Sequence, residues 1–332
     1  MPYFQPKVTL PAALSFRDKT ILVTGASAGI GFAATKQFLI HGAKEIIAGV
    51  RSTTKAETAR SQILSDPAVT KANPGGKITI LKLEAEDYQS VLDFANVVKS
   101  RYDGTLDMLL LNAGTGSLKW EVVAKTGHEK TMQVNLLSPA LLALELLPVL
   151  EKTAARTGVP SRLTWVGSFV QFDHSFEKRP IEKDEGVLQH VDDNRHFESM
   201  ATYSNSKLLG TMFIEELARY VDSSKVIVND VSPGMVATGF GEYPTWLRIM
   251  FGILFALKAR SIDNGAKTYL HALGVAGKES HGKYLSDNQV AERAAFTQTQ
   301  TGSEVREKLW DEVARECSRV DSNLQRLNSS IS

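Results

Sequence analysis

The sequence holds a single cysteine, Cys317, among its 332 residues. One cysteine excludes an internal disulfide and fits a protein of a reducing compartment. We expect Cys317 to be a small apolar residue on a C-terminal helix. Residues 1–7 lack the basic and then apolar pattern of a secretory signal peptide. These absences together favour a cytoplasmic location.

The sequence also lacks an excess of charge and a long apolar run. Its net charge is +1, so no electrostatic footprint for nucleic acid is present. The most apolar window, residues 246–257, is short and contains Arg248. Because about 20 apolar residues are needed to cross a bilayer, we predict no transmembrane segment and no nucleic-acid partner.

Short apolar runs alternate with helix-length segments from residue 20 almost to the end of the chain. The candidate strands are residues 20–23, 45–50, 77–83, 108–111, 162–166, 225–231 and 283–285. Candidate helices are residues 30–41, 88–99 and 129–151, the last perturbed at Pro139. Nearly continuous apolar runs of this length are typical of parallel strands buried on both faces. The alternation predicts an α/β fold with a doubly wound parallel sheet of about seven strands.

No repeat and no Pro/Gly/Ser-rich linker divides the chain, so we predict a single domain over residues 18–290. An N-terminal extension, residues 1–17, would precede it, and a helical tail, residues 291–332, would follow.

The stretch 171–200 is polar and does not fit the alternation. It carries the imidazoles and carboxylates of Asp173, His174, His190, Asp192, Asp193 and His196. No pair among them has convincing metal-ligand spacing. We therefore interpret the stretch as a solvated loop and predict no metal.

A glycine-rich turn follows the first candidate strand, at Gly25, Gly29 and Gly31, with Ser27 and Ile30 between them. Glycines permit positive φ and let the backbone approach a pyrophosphate, and the next helix offers free N–H groups. The spacing differs from the commoner G-x-G-x-x-G fingerprint of dinucleotide sites. A structural strand-to-helix turn is the alternative interpretation.

Tyr203 and Lys207 are four residues apart and can share one face of a helix. The pKa of a phenol, about 10, is lowered by a nearby cation, which brings its proton within useful range at neutral pH. Such a pair is weak evidence alone. Together with the glycine turn, Asn112-Ala-Gly114 and Ser168 at the end of a strand, it indicates hydride transfer.

These residues occur in one order along the chain: Thr24-Gly-x-x-x-Gly-x-Gly31, Asn112-Ala-Gly114, Asn135, Ser168, Tyr203-x-x-x-Lys207 and Pro233-Gly234. Their order and distances resemble the short-chain dehydrogenase/reductase family over about residues 18–290. The fungal secondary-metabolism members and the retinol-dehydrogenase-like members are the closest match, with the fungal reductases closer. The resemblance implies a Rossmann fold.

The resemblance also implies a role for each catalytic residue. Tyr203 would donate a proton to the substrate oxygen in reduction and accept it in oxidation. Lys207 would support Tyr203 electrostatically and hold the nicotinamide ribose. Ser168 would orient the carbonyl, and Asn135 would hold a water in the proton relay. Plain structural roles for Ser168 (a turn or cap) and Asn135 (backbone hydrogen bonding) are the alternatives.

Further cofactor contacts follow from the same resemblance. Glu84 would contact the adenine amino group, where an aspartate is more usual. Asn112, Ala113 and Gly114 would line the adenosine ribose. Residues around the nicotinamide and phosphates would be Pro233, Gly234, Val236 and Thr238.

The residues after the second strand predict which nicotinamide cofactor is held. NAD enzymes place a carboxylate there for the ribose 2′-hydroxyl. This chain has Arg51 at that place and Lys55 four residues on. Because an arginine pairs with a 2′-phosphate, we predict NADP(H); an arginine merely exposed on a loop is the alternative.

Residues 239–260, rich in aromatic and aliphatic side chains, follow the sixth candidate strand. A lid over the site would imply a bulky hydrophobic small-molecule substrate. Core packing and a membrane-surface helix are the alternatives for the part at 245–257.

The sequence thus predicts an NADP(H)-dependent oxidoreductase, interconverting ketone or aldehyde and alcohol, such as a ketoreductase of secondary-metabolite biosynthesis. One alternative is a membrane-associated retinol- or steroid-type dehydrogenase. A non-catalytic NADP(H)-binding regulator is the alternative from another class. The resemblance also implies that the chain could form a homodimer through the helices that carry Asn135 and Tyr203.

Overall fold

The computed structural model describes residues 5–236 and 259–324. Its strands lie where the sequence has short apolar runs. They are β1 (Thr20–Thr24), β2 (Glu45–Val50), β3 (Lys77–Lys82), β4 (Met108–Leu111), β5 (Ser161–Val166), β6 (Val226–Ser232), β7 (Tyr284–Ser286) and β8 (Gln289–Ala291). Every residue of β1, β4 and β6 is buried. This burial on both faces explains why the runs are nearly continuous rather than alternating.

The strands form one sheet in the order β3-β2-β1-β4-β5-β6-β7-β8. All pairs are parallel except β7 with β8, which are antiparallel. The chain reverses its direction of winding between β1 and β4, where α/β sheets open a crevice for ligands. The doubly wound parallel sheet predicted from the sequence is confirmed.

The eighth strand was not predicted. Asp287 and Asn288 both have positive φ, 54° and 62°, and form a two-residue hairpin turn between β7 and β8. This backbone fits a type I′ turn, for which Asn-Gly or Asp-Gly is the usual signal. Without that glycine and with only three residues in each strand, the hairpin leaves little trace in the sequence.

Helices cover both faces of the sheet. They are α1 (Gly29–Ile40), α2 (Thr53–Leu64), α3 (Pro67–Ala72), α4 (Tyr88–Tyr102), α5 (Lys130–Thr157), α6 (Val187–Val191), α7 (Ser199–Tyr220), α8 (Ile262–Gly274) and α9 (Gln300–Val320). One core cluster joins α4, α5, α7 and α9, and includes Phe94, Leu141, Phe213 and Trp310. A second cluster joins α1 and α8 on the other face.

Helix α5 is long and apolar enough by composition to cross a membrane. In its most apolar window, 83% of the residues are buried inside the protein. The helix therefore has the character of a core helix, and its apolar surface packs against the sheet and α4.

The stretch 171–200 is not a solvated loop, so that interpretation was wrong. It contains α6, and Phe176, Val187 and His190 are almost fully buried. Glu312 of α9 accepts hydrogen bonds from the N–H groups of Val187 (3.0 Å) and Leu188 (2.8 Å) and so caps α6. The apolar side chains were too few to reveal this packing, which depends on a helix more than 100 residues later.

Helix α9 packs across α7. Trp310 stacks on Phe213 at 5.5 Å and on Tyr220 at 4.9 Å between ring centroids. Arg306 donates a hydrogen bond of 2.9 Å to Glu216. Cys317 is a buried free thiol of α9, as expected from the sequence.

The expected lid falls outside the described residues, except for its last two positions, 259 and 260, and so does Thr238. The N-terminal extension is described from residue 5. It packs on the body, with Phe16 fully buried against Phe38.

His128 joins three distant segments of the chain. Its Nδ1 lies 2.6 Å from Asp192 Oδ2, and its Nε2 lies 3.2 Å from Glu316 Oε1 in α9. Burial opposes the charged imidazole, but the hydrogen bonds and charges of the two carboxylates outweigh it and raise the pKa of His128 to about 9. The protonated ring therefore stabilises the packing of the 171–200 stretch and α9.

The stability of the protein should depend on this group at alkaline pH. The contribution is complete below the pKa of an unfolded histidine, about 6.5, and is lost as pH rises to about 9. We expect the free energy of unfolding to fall by on the order of 2 kcal/mol across this window, measured by urea unfolding at each pH. His128→Gln removes the titrating group and should flatten the profile; an equal slope in both proteins would contradict the assignment.

Candidate active site

The turn between β1 and α1 leads into a helix start whose N–H groups have no side-chain cap. Gly25 and Gly29 have φ of +71° and +56°, which side chains rarely adopt. Helix α1 begins at Gly29 with no side-chain cap and no acidic residue in its first turn. Its first N–H groups are thus available to an anion, and the helix dipole favours negative charge there.

Gly31 is required for a different reason, the close packing of the turn. A Cβ at this position would lie 2.4 Å from the carbonyl oxygen of Gly25 and 2.5 Å from Nδ2 of Asn112. Both atoms are held in place, one by the backbone and the other by hydrogen bonds. Only glycine lets the backbone close this tightly. Together with the uncapped start of α1, the turn therefore fits a dinucleotide pyrophosphate.

Asn112 connects this turn to the end of β4. Its side-chain N–H donates to the carbonyl of Thr24 at 2.8 Å. In return, the Thr24 hydroxyl oxygen accepts from the N–H groups of Asn112 and Ala113, both at 2.9 Å. Sequence reasoning treated Thr24 only as a motif position, whereas the structure makes it the partner that fixes Asn112.

Gly114 brings the cofactor side of the site next to the catalytic side. A Cβ there would lie 3.2 Å from Asn135 Oδ1 and 3.7 Å from Lys207 Nζ. The loop after β4 therefore runs directly over these two side chains.

Asn135 lies in a π-helical turn, Gln133–Leu137, within α5. Its Oδ1 accepts from Thr115 N at 2.7 Å, and its Nδ2 donates to Thr115 O at 2.8 Å and to Ser206 Oγ at 3.0 Å. The side chain is thus fully occupied by the protein. Pro139 has no N–H to give the Asn135 carbonyl four residues earlier, so that carbonyl lacks its usual α-helical donor. The predicted perturbation at Pro139 is seen as this π turn.

Ser168 follows β5 and is buried. Its Oγ accepts a hydrogen bond of 3.3 Å from Val170 N and caps the short helical turn Phe169–Asp173. The structural role considered in the sequence analysis is therefore present. Because the hydroxyl accepts in this bond, its own proton remains able to donate to another group.

Tyr203 and Lys207 lie one turn apart on α7, as their spacing predicted. Lys207 Nζ lies 5.7 Å from the centre of the Tyr203 ring and donates 2.8 Å to the carbonyl of Val166 in β5. The lysine is buried, and burial lowers its pKa to about 8, although the charge of Asp230 opposes that fall. Tyr203 is half-buried.

Arg51 and Lys55 lie at the rim of the site, after β2, and both are exposed. The Arg51 side chain is 73% exposed, and its guanidinium stands 3.9 Å from the Glu86 carboxylate, a distant ion pair. Ser52 between them caps α2 by accepting from Lys55 N at 3.3 Å. Two cations therefore lie beside the glycine turn, and the ion pair that the structure describes for Arg51 is a long one.

Glu84 lies after β3 and is half-buried. Its carboxylate accepts a long hydrogen bond of 3.4 Å from Glu86 N, while its own N–H donates to Ser90 Oγ at 3.0 Å. The side chain is positioned by its own loop.

The loop after β6 is held by two residues that sequence reasoning missed. Arg260 donates to the carbonyl of Pro233 at 3.2 Å, and Gln5 exchanges hydrogen bonds with Met235 at 2.8 and 2.9 Å. Gly234 has φ of +77°, and Val236 is buried. Partners this far away in the chain leave no local pattern that could have revealed them.

Three side chains of the 171–200 stretch do come together. Ligand atoms of Glu185, His190 and His196 lie within 4.8 Å of one another. The two imidazole rings stack 4.0 Å apart at 21°, and rings this nearly parallel do not direct two nitrogens at one ion. The absence of a metal therefore stays a prediction.

The site thus gathers residues from the carboxyl ends of β1, β4, β5 and β6 and from α5 and α7. It brings the glycine turn before α1 together with a buried lysine beside a tyrosine. Comparison with known proteins shows which family has this arrangement of residues. The short chain dehydrogenase family profile matches residues 19–159. The short chain dehydrogenase yanD of Aspergillus niger is 40% identical over 321 residues, which is 96% of this chain and 97% of yanD.

The chain belongs to the short-chain dehydrogenase family. Short-chain dehydrogenase/reductase tropG of Talaromyces stipitatus is 38% identical over 320 residues, covering 96% of this chain and 97% of tropG. Among solved structures, the L-sorbose reductase of Gluconobacter frateurii, complexed with NADPH and L-sorbose, shares the fold. Its TM-score is 0.59 at 19% identity, over 82% of this chain and 95% of that one.

The packing at Gly31 can be tested directly. We expect Gly31→Ala to abolish dinucleotide binding, because its Cβ would displace Asn112 or the Gly25 carbonyl. Binding is measured by fluorescence titration with NADPH. Gly75→Ala is the matched control, since a Cβ there has no atom within 4 Å and should bind as the wild type does. Unchanged binding by Gly31→Ala would show that the turn is only structural.

Proposed function

We propose that this short-chain dehydrogenase is an NADP(H)-dependent oxidoreductase that interconverts a ketone or aldehyde and an alcohol on a bulky hydrophobic substrate. The observation that carries the proposal is the buried Lys207 beside Tyr203, 5.7 Å from its ring, next to Gly114 of the cofactor loop. A regulator that only binds a dinucleotide has no need of this pair.

Tyr203 is the general acid in reduction and the general base in oxidation. The Lys207 ammonium favours the phenolate and so makes the phenol a better proton donor. Ser168, with its hydroxyl proton still able to donate, hydrogen-bonds the substrate oxygen and holds it towards Tyr203. The nicotinamide, when bound, supplies or accepts the hydride.

Asn135 keeps the catalytic lysine and the cofactor loop in register. Its amide fixes Thr115 and, through Ser206, the carbonyl of Tyr203, to which Ser206 Oγ donates at 2.7 Å. The backbone carbonyl of Asn135, to which Pro139 has no N–H to donate, is the group that would hold a water on the path of the proton to solvent.

Support for NADP(H) comes from charge. No carboxylate directly follows β2, and Arg51 and Lys55 are exposed beside the turn, with no short ion pair to any residue that the structure describes. A 2′-phosphate would satisfy both cations, which the hydroxyl of NAD cannot do. The L-sorbose reductase of the same fold is described with NADPH bound.

Support for a hydrophobic substrate comes from the rim of the site. Leu118, Trp120 and Met200 are large apolar side chains that remain exposed. Ser199 Oγ donates to Ser117 O at 2.7 Å and holds the two segments that carry them together. Because the relatives yanD and tropG are fungal, we propose a ketone of secondary metabolism as the substrate. We also propose that the protein is located in the cytoplasm.

A homodimer through the helices that carry Asn135 and Tyr203 is also proposed. Helix α9 covers part of α7 through Trp310 and Arg306. A partner copy would therefore dock on the part of α7 that this helix leaves open.

Loss of the Tyr203 hydroxyl should remove the proton donor alone. We expect Tyr203→Phe to bind NADPH normally and to lose roughly 10²–10⁴-fold in turnover, measured by NADPH oxidation with a panel of aromatic and polycyclic ketones. Tyr220→Phe, at the far end of the same helix, is the control and should keep wild-type rates. A Tyr203→Phe enzyme as fast as the wild type would rule out this general acid.

Arg51 should decide cofactor preference. We expect Arg51→Ala to weaken NADPH binding roughly 10–100-fold, the loss of one or more charge-assisted hydrogen bonds, and to leave NADH binding unchanged. Arg60→Ala, which removes an arginine of α2 paired with Glu57 at 2.5 Å, is the control. Tighter binding of NADH than NADPH by the wild type would overturn the cofactor assignment.

A further inference from the structure

Asp230 is a buried carboxylate to which the proposed chemistry assigns no role. It lies in β6, in register with Trp165 of β5, and is 1% exposed. A carboxylate this deep in a protein is rare unless it is paired. We therefore expect a partner of this carboxylate among the groups around it.

The carboxylate faces α7 beside the catalytic lysine. Thr211, one helical turn after Lys207, donates 2.6 Å to its Oδ2. The other oxygen, Oδ1, lies against Gly167, whose backbone N–H also favours the charged carboxylate. Burial raises the pKa of Asp230 to about 6, while Thr211, Lys207 and Arg293 act in the opposite direction.

Gly167 provides the space for this carboxylate. A Cβ on Gly167 would lie 2.2 Å from Asp230 Oδ1. Gly167 stands between Val166, whose carbonyl accepts from Lys207 Nζ at 2.8 Å, and Ser168. The carboxylate is thus packed against the segment of backbone that holds both Lys207 and Ser168.

We propose that Asp230 is a positioning residue of the active site, whose carboxylate is the counter-charge that keeps Lys207 protonated in the protein interior. The inference rests on the proposed function, in which a charged Lys207 supports Tyr203. A buried ammonium without an opposite charge tends to lose its proton instead.

The other titratable groups around the pair do not supply this charge. Tyr203 adjoins Lys207 from α7, and burial raises the pKa values of Tyr269 in α8 and Tyr284 in β7, so both stay neutral. Arg293, after β8, is a cation and pairs with Glu215 at 2.8 Å. Of the groups that the structure describes here, Asp230 is the one whose negative charge acts on Lys207.

The test is the pKa of Lys207 itself, read from the ε-carbon signals of ¹³C-lysine-labelled protein by NMR without cofactor or substrate. The signal is assigned by its loss in Lys207→Met. Wild-type Lys207 should titrate near pH 8, and Asp230→Asn should move its midpoint down by about one pH unit. An unchanged midpoint would overturn the proposal.

Asp107→Asn is the matched control, because Asp107 is another buried carboxylate, bound to Lys19 and Thr20 at the amino ends of β1 and β4. It should destabilise the protein without moving the Lys207 midpoint; an equal shift in this control would overturn the proposal. Should Asp230→Asn fail to fold, the reciprocal measurement applies. In Lys207→Met the carboxyl signal of Asp230 should titrate at higher pH by a similar amount, and no change would refute the pairing.

The functional consequence is a separate readout. Because a lower Lys207 pKa means that its charge is lost at lower pH, the alkaline limb of the pH profile for ketone reduction should move down in Asp230→Asn. If Asp230→Asn shifts the NMR midpoint of Lys207 but the wild type reduces no ketone, the pairing stands and the proposed function is refuted. If the wild type reduces ketones but Asp230→Asn leaves the Lys207 midpoint unchanged, the proposed function stands and the pairing is refuted.

Discussion

The hydrogen bonds between Thr24 and Asn112 hold the ends of β1 and β4 together, and both halves of the active site are positioned from that junction. The two strands flank the point at which the sheet changes its direction of winding. On one side the junction sets the glycine turn, through the contact of Asn112 with Gly31. On the other it directs the chain through Gly114 over Asn135 and Lys207. A polar pair at the crevice thus positions the glycine turn relative to Asn135 and Lys207.

Around this junction the protein buries charge as well as apolar surface. Lys207 is held by a backbone carbonyl of β5 and faces Asp230 from the next strand. In such surroundings a charge is costly to maintain, so hydrogen bonds and counter-charges decide its protonation state. The same constraint explains two glycines, because Gly114 and Gly167 leave the space that these polar groups occupy.

The 171–200 stretch and α9 form a second structural unit on the outside of this scaffold. Glu312 caps α6, His128 links Asp192 to Glu316, and Trp310 stacks on α7. Both segments also contribute to the main apolar core, with Phe176 and Val187 from the first and Leu309 and Val313 from α9. Helix α9 contacts the second half of α7, the helix that carries Tyr203 and Lys207, at Phe213, Glu216 and Tyr220.

Sequence alone determined the features that repeat locally. Strand and helix positions followed from apolar periodicity, the strand-to-helix turn from its glycines, and the Tyr203–Lys207 pair from helical spacing. Tertiary structure alone decided what depends on residues far apart: the β7–β8 hairpin, the packing of 171–200 on α9, the Arg260 and Gln5 contacts, and Asp230 behind Lys207. Local patterns follow from the short-range sterics of the backbone. Pairing across strands depends on where the folded chain brings side chains together, and no single stretch of sequence encodes that.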